Sequence, residues 1–363
     1  MADRSRTPAV SRAVAVLSLL ARSHGPLTVT AIARELGAPR TSVHGICETL
    51  ADERMLVRGT DGSYWIGPRV AVLGANARLS AHHALRFGLL IPNLENTYYT
   101  ALVSAAEDDV RATGGELIVC QADDDSDKQR RQWQTLINGR ADVILIDAVD
   151  TFGFDDLVVR SRTAGIPVVA AGTRIDEVDV AVVSDNTQAG LLAGLELARR
   201  LPDGSSIAIA DGLRKNANAD RVAGFLDAIR DHRELTLVAH ERGRRDDATS
   251  GREVAERLLS EHPSLSGIFA VCDPIALGVT SYLNSVGRPI PVTAVDGRAQ
   301  VIHQIRDGGP IVATAAQDPA RLVRAALDSA RQLHDGSRPQ QRVVMLPVRL
   351  IDATTAAGYQ PWG

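Results

Sequence analysis

From residue 86 onward the sequence alternates between short, wholly apolar runs and amphipathic helical stretches, and this alternation restricts the fold more than any other feature. Strand-like runs fall at 87–92, 116–120, 142–146, 167–171, 180–183, 206–210, 235–239, 267–271, 291–295 and 310–315. Helical patterns separate most of them, for example at 101–113, 188–201, 221–232 and 252–262. An uninterrupted apolar run is a strand covered on both faces, and a helix between two such strands is the crossover that parallel pairing needs. The expected class is α/β with parallel sheets. A chain of 363 residues exceeds one hydrophobic core. The strands are too many for one compact lobe, so two doubly wound lobes with a hinge and a cleft between them are expected.

In such sheets ligands bind beyond the carboxyl ends of the strands. The residues found there are polar or aromatic: Asn93, Asn96, Tyr98 and Tyr99 after the first run, then Asp147, Asp211, Cys272, Asp273, Asp296 and Gln317 after later ones. Carboxylates and amides pair with hydroxyls, and rings cover the apolar face of a sugar, so a polyhydroxylated ligand is expected. Ser184-Asp185-Asn186 reads as a crossover between lobes, with Ser184 also a candidate contact. The Asp123–Asp127 cluster lacks the glycine and distal Glu of a calcium loop and reads as a solvated loop.

The first 75 residues have a different rhythm. Val10, Val14, Leu17 and Ala21 recur at helical spacing, which predicts an amphipathic helix ended by Gly25-Pro26. Val29, Ile32, Ala33 and Leu36 predict a second helix, with Thr28 as N-cap and Gly37 as C-cap. Val43, Ile46, Cys47 and Leu50 predict a third after Pro39. Two short helices across a glycine turn form a helix-turn-helix. The outer face of the third helix carries Arg40, Thr41, Ser42 and His44, residues suited to phosphates and base edges at a helix N-terminus in a major groove. A hairpin follows, turning at Asp61-Gly62 and edged by Arg58, which makes the unit a winged helix. DNA-contacting candidates are thus Thr28, Arg40, Thr41, Ser42, His44 and Arg58.

Charge agrees with that division. Residues 1–80 carry ten Arg, no Lys and six acids, a net +4, while the remainder carries −8. A small basic head on an acidic body fits a polyanion-binding module joined to a separate sensor. The three cysteines, Cys47, Cys120 and Cys272, are widely spaced with no C-x-x-C, which fits a reducing compartment and argues against a zinc site. Arg4, Arg6 and Arg12 before residues 14–21 imitate a signal peptide, but Arg22 ends the run without a small-x-small cleavage pattern. A cytoplasmic, non-membrane chain is expected.

The head resembles the winged helix-turn-helix of the IclR family, through VSRAVAVLSLL at 10–20, PLTVTAIAR at 26–34, GAPRTSVH at 37–44 and YWIGPR at 64–69. It departs at Gly45, where that family often has a basic residue. The body resembles the type I periplasmic-binding-protein fold in its ribose-binding branch, also used by LacI-family regulators. The matching segments are LENTYY at 94–99, GIPV at 165–168, VSDN at 183–186, DRVAGF at 220–225, AVCDPIALG at 270–278, VDG at 295–297 and AAQDP at 315–319. Both resemblances imply a homodimer or higher homo-oligomer, and this one implies sugar contacts by Asn96, Tyr98, Tyr99, Asp147, Arg221, Asp296 and Gln317. It departs at Gly172-Thr173-Arg174, where Asp-Arg is usual, at Cys272, where Asn is common, and near Asp246, where an aromatic is missing. Arg174, Ser184, Cys272 and Asp273 complete the candidate effector contacts.

There is no Walker P-loop, G-x-G-x-x-G, G-x-S-x-G or H-E-x-x-H, and the histidines form no triad or ligand spacing. Neither an enzyme nor a metal or cofactor is expected. The expected organisation is a DNA-binding head over 1–70, a connector over 71–85 and an effector domain over 86–361. Lobe 1 then holds about 86–184 and 318–346, and lobe 2 about 185–317 and 347–361. The expected function is a transcription regulator binding operator DNA under control of a sugar or sugar-like effector. The alternative is the solute receptor of a sugar transporter.

Overall fold

The structure, a computed structural model, describes residues 8–23, 25–70, 73, 84–230, 232, 235–337 and 339–362. It divides into two units, residues 1–84 and 85–363. The connector expected over 71–85 lies outside the described residues except at Leu73, Ala84 and Leu85.

In the first unit, α1 (Pro8–Arg22), α2 (Val29–Glu35) and α3 (Arg40–Asp52) pack beside a small antiparallel sheet of β1 (Leu27–Thr28), β2 (Leu56–Arg58) and β3 (Ser63–Ile66), ordered β1-β3-β2. Their shared core holds Val16, Leu20, Ile32, Ala33, Val43, Cys47, Leu50, Leu56 and Tyr64. The Thr28 hydroxyl accepts the N–H of Ala31 and caps α2, and Gly37 ends it at φ +57°. The phase of α1 differs from the sequence reading. Val16 and Leu20 are buried, whereas Val10 and Val14 are exposed. Four apolar residues at helical spacing fit more than one stripe of an alanine- and leucine-rich helix, and packing selects the stripe through Ala13, Val16, Leu17 and Leu20.

In the second unit, one six-stranded sheet is ordered β14-β8-β7-β6-β4-β5. It contains β4 (Arg86–Ile91), β5 (Glu116–Gln121), β6 (Val143–Ile146), β7 (Val168–Ala171), β8 (Val180–Ser184) and β14 (Val343–Leu346), all parallel. Its helices are α4 (Thr97–Ala112), α5 (Ser126–Asn138), α6 (Asp155–Thr163) and α12 (Pro319–His334). The other sheet is ordered β10-β9-β11-β12-β13-β15. It contains β9 (Ser206–Asp211), β10 (Thr236–Arg242), β11 (Gly267–Ala270), β12 (Val292–Asp296), β13 (Ile311–Ala316) and the antiparallel β15 (Arg349–Asp352). Its helices are α7 (Asn186–Arg200), α8 (Asn216–Arg230), α9 (Ala248–Glu261), α10 (Asp273–Ser285) and α11 (Ala299–Arg306). This is the α/β architecture with two doubly wound sheets that the alternation predicts. β14 and β15 are absent from the sequence reading; both are four-residue edge strands, β14 a short apolar run and β15 flanked by Arg349 and Asp352.

The chain passes between the sheets three times, at 184–186, at 317–319 and at 347–348. Three short crossovers form a hinge rather than a rigid joint. Two tight helix pairs then shape the second lobe. A Cβ on Gly190 of α7 would stand 1.8 Å from the Arg221 carbonyl oxygen of α8, and one on Gly224 would stand 1.9 Å from that of Thr187. Gly251 and Gly278 lock α9 to α10 in the same way. Only glycine permits backbones to approach so closely, and this approach brings Arg221 to the end of the sheet.

Gly190→Ala should destabilise the second unit by about 2 kcal/mol or more, because backbone has to move and not a flexible side chain. Gly45→Ala, in a helix interior with no atom within 4 Å of its Cβ position, should stabilise the first unit by roughly 0.5–1 kcal/mol. Urea unfolding followed by circular dichroism measures both, and a stable Gly190→Ala protein would contradict the packing argument.

Candidate functional site

In the first unit a groove of about 680 Å³ is lined by Thr28, Val29, Thr30, Arg40, Thr41, His44, Arg58, Asp61, Gly62 and Tyr64. It places the start of α2, the start of α3 and the hairpin tip side by side. Among the described residues, the side chains of Arg40, Thr41 and His44 make no hydrogen bond or ion pair. Arg58 reaches Glu48 at 3.2 Å but stays about half exposed. Glu48 is held below the usual carboxylate range first by the Tyr64 hydroxyl and then by Arg58. Ser42 does not line the groove. Its hydroxyl accepts from Arg12 at 3.1 Å, because position 42 sits one step round α3 and faces α1.

In the second unit the carboxyl ends of both sheets meet at a cleft with two connected parts. The inner part, about 60 Å³, is lined by Asn96, Tyr98, Tyr99, Asp147, Gly172, Thr173, Lys215, Ala217, Asn218, Arg221, Asp246, Cys272, Asp296 and Gln317. The outer part, about 420 Å³, shares Asn96, Tyr99, Lys215 and Asp246 and adds residues such as Arg245, Thr249, Arg298 and Gln300.

The inner wall is built around a buried guanidinium. Arg221 Nε donates to Asn186 Oδ1 at 2.8 Å, Nη1 donates to the Val271 carbonyl at 2.8 Å, and Nη1 lies 3.3 Å from Asp296 Oδ1. Gln317 Nε2 donates to the same Asp296 oxygen at 2.7 Å. Asp296 has φ 138°, a backbone state costly for a residue with a side chain. Burial raises its pKa, and Arg221 opposes the shift. Asp296 is thus a strained carboxylate held by its neighbours at the mouth of β12.

Across the cleft, Thr173 Oγ1 donates to Asp147 Oδ1 at 2.7 Å and accepts from Ala148 N at 2.8 Å. Asp147 Oδ2 has no hydrogen-bond donor among the described residues. Burial pushes Asp147 up to about 6, opposed mainly by Lys215. Gly172, at φ +116°, makes room for it, since a Cβ there would lie 2.1 Å from Oδ2. Tyr98 and Tyr99 meet edge to face at 5.2 Å, and Tyr98 also packs on Trp362, whose indole N–H holds the Gln317 carbonyl at 3.0 Å. Asn96 both caps α4, accepting from Tyr98 N, and lines the cleft.

Of the eleven effector candidates, Asn96, Tyr98, Tyr99, Asp147, Arg221, Cys272, Asp296 and Gln317 come together. Three are placed elsewhere. Arg174 turns out to Asp220 at 2.8 Å, because Thr173 faces Asp147 and the next residue along must point away. Ser184 is buried in the first crossover, where its carbonyl accepts from Asn186. Asp273 is wholly buried and accepts from Gly297 N, Arg298 N and Thr314 Oγ1, so it fastens β12 to β13. Burial and then Asp296 push it up to about 8. Lys215, Asn218 and Asp246 were missed. They come from helix starts and loops rather than directly from strand ends, so only the position of Asn218 one turn before Arg221 hinted at any of them. Of the Asp123–Asp127 cluster, Asp123 pairs with Lys128 and Asp125 caps α5, while Asp124 accepts from Asn93 and from Arg245 across the cleft.

Residues 87–338 match the periplasmic binding protein domain family, and residues 9–59 match the IclR helix-turn-helix domain. The chain is 29% identical over 266 residues to the ribose import binding protein of Bacillus subtilis, covering 72% of this chain and 86% of that protein. It is 30% identical over 297 residues to the D-ribose/D-allose-binding protein of Pseudomonas aeruginosa, covering 76% and 92%. Among solved structures it is similar to an ABC transporter solute binding protein of Mycobacterium smegmatis with bound glycerol. The TM-score there is 0.72 at 29% identity, covering 77% of this chain and 99% of that one. A second, from Bacillus halodurans with bound myo-inositol, gives 0.71 at 26% identity, covering 76% and 96%. These relatives are named as binding proteins, not enzymes. No helix among the described residues is long and apolar enough to cross a membrane.

The raised Asp147 makes stability depend on pH. Its folded value of about 6 lies above the ordinary 3.8, so between these the folded chain holds a proton that the unfolded chain has released. Unfolding free energy then falls as pH rises from about 4 to 6, by up to about 1.4 kcal/mol per pH unit for this proton. Urea midpoints across that window should fall less steeply in Asp147→Asn than in the parent, and equal slopes would contradict the assignment.

Proposed function

We propose that this chain, which belongs to the periplasmic binding protein domain family and carries an IclR helix-turn-helix domain ahead of it, is a sugar-responsive transcription regulator. The carrying observation is that one polypeptide holds both a groove lined by exposed Arg40, Thr41, His44 and Arg58 on a helix-turn-helix and a polar, ring-lined cleft between two hinged lobes. In this reading residues 1–70 are the DNA-binding head, 71–85 the connector and 86–361 the effector domain. Lobe 1 takes about 86–184 and 318–346, lobe 2 about 185–317 and 347–361. The chain acts in the cytoplasm as a homodimer.

The chemistry follows from the side chains. Arg40, Thr41 and His44 meet base edges or phosphates from the start of α3, while Thr28 and Arg58 flank them. In the cleft, Asp147, Asp296, Gln317, Asn96 and Arg221 pair with sugar hydroxyls, and the Tyr98–Tyr99 pair covers an apolar ring face. Ligand between the lobes favours their closed arrangement, in which Arg174–Asp220 and Arg245–Asp124, both at 2.8 Å, already bridge the two lobes. A ligand that prefers one lobe arrangement shifts the spacing of two heads, a coupling typically worth about 1–3 kcal/mol. The names of the relatives favour a second reading, a receptor of a sugar importer. The helix-turn-helix has no part in that role.

Fluorescence anisotropy on duplexes from the chain's own promoter region tests the proposal, with and without pentoses, hexoses and polyols. Binding should weaken steeply with salt as counterions are released, and one sugar should change the affinity by about five-fold or more. Arg40→Ala with Thr41→Ala should lower DNA affinity by about ten-fold while the sugar still raises the melting temperature. Gln317→Ala should do the reverse. Arg221 is unsuitable as the probe, since its removal leaves Asp296 buried and uncompensated. No DNA binding under any condition would refute the regulator reading.

A further inference from the structure

The inner part of the cleft, about 60 Å³, is far below the volume of ordinary ligand sites, whereas the outer part, about 420 Å³, lies within their range. An occupant that reaches the inner polar wall therefore also extends into the outer part. What meets it there is decided less by the number of charges than by which charges are already satisfied.

The acids of the outer part are engaged. Asp246 Oδ1 accepts from Leu213 N and Asn218 Nδ2 at 2.8 and 3.1 Å. Asp247 caps α9 through Ser250 N. Asp124 takes Asn93 and Arg245, and Arg245 also stands near Glu95 and Asp247. The side chains of the cations Lys215 and Arg298 make no hydrogen bond among the described residues, and Lys215 has only a long ion pair. Lys215 is 10% exposed, its ammonium makes no hydrogen bond, and its nearest carboxylate oxygen is 3.8 Å away on Asp246. The Arg298 guanidinium, half-buried on the same wall, has no hydrogen bond or ion pair among the described residues. The starts of two helices, Ala248-Thr249 of α9 and Gln300 of α11, line the same space. Helix starts carry free N–H groups and the positive end of the dipole. A largely buried lysine side chain whose one ion pair is 3.8 Å long has ammonium donors left for a ligand.

Building on the sugar-effector reading, we propose that the outer part is an anion subsite and that the effector is a sugar bearing a carboxylate or phosphate. Lys215 and Arg298 hold the charged group while the hydroxyls face Asp147, Arg221, Asp296 and Gln317. Lys215 is one of only two lysines in a chain with 40 basic residues, the other being Lys128, so substituting it changes half of all lysine chemistry at one position.

Calorimetry on the full chain with matched sets tests this: D-ribose, D-ribonate and D-ribose 5-phosphate, then D-allose, D-allonate and D-allose 6-phosphate. In at least one set an anionic member should bind about ten-fold or more tightly than its neutral parent, with a preference that shrinks as salt rises. The carboxylate and phosphate arms tell the two anions apart. In Lys215→Met and in Arg298→Gln the anionic-to-neutral ratio should fall towards one, while Lys215→Arg should retain most of it. Circular dichroism confirms that each variant is folded. Neutral sugars binding as well as or better than every anionic partner would overturn the anion subsite and leave the sugar reading standing. An unchanged ratio in folded Lys215→Met would do the same. A panel in which nothing binds would refute both.

Discussion

A buried guanidinium has to be matched on every side, and Arg221 is where the second unit satisfies that requirement. Its partners come from the first crossover (Asn186), the end of β11 (Val271) and the end of β12 (Asp296). Gln317, at the second crossover, shares Asp296, and Trp362 near the C-terminus fixes the Gln317 carbonyl. Hinge, sheet ends and terminal segment thus meet through one charge network in a site where a lone charge would be strongly unfavourable. The glycine contact between α7 and α8 serves the same end, since a wider crossing would draw Arg221 back from the strand ends.

Where the molecule is structural, the buried carboxylates Asp273 and Asp211 are saturated. Asp273 accepts from two amides and a hydroxyl, and Asp211 is enclosed by His240 and Arg242. Where the reading places function, groups are left wanting. Asp147 keeps one oxygen without a hydrogen-bond donor among the described residues, Lys215 makes no hydrogen bond and has its ion pair with Asp246 at 3.8 Å, and the Arg298 side chain is unpaired among the described residues. A buried polar group without a partner has a cost that a ligand can remove. Among the charged side chains this contrast separates site from scaffold more sharply than residue type does, since both contain aspartates and arginines.

Much of this was legible in the residues. The winged helix follows from cap, turn and hairpin chemistry that acts over a few positions, such as Thr28, Gly37 and Asp61-Gly62. Seven of the eleven effector candidates line the cleft because strand ends in a doubly wound sheet point there by topology, and an eighth, Arg221 on α8, came only through the resemblance to the ribose-binding branch. The failures are also physical. Arg174 and Asp273 have the right residue type at the right kind of position, but the direction of a side chain leaving a strand changes with each residue, and a one-residue difference decides between cleft and core. Val10 and Val14 fit the helical period equally well on the wrong stripe.

The sequence by itself determined the two kinds of architecture, the parallel sheets and the face of α3 that carries Arg40, Thr41 and His44. Those follow from local periodicity and from short-range capping and turn preferences. Only the tertiary structure decided that Lys215, Asp246 and Asn218 join the cleft, that Thr173 takes the place facing Asp147, and that Arg174 leaves it. Those outcomes rest on how closely separate helices approach and on which buried charges find partners, and neither is encoded in any short stretch of chain.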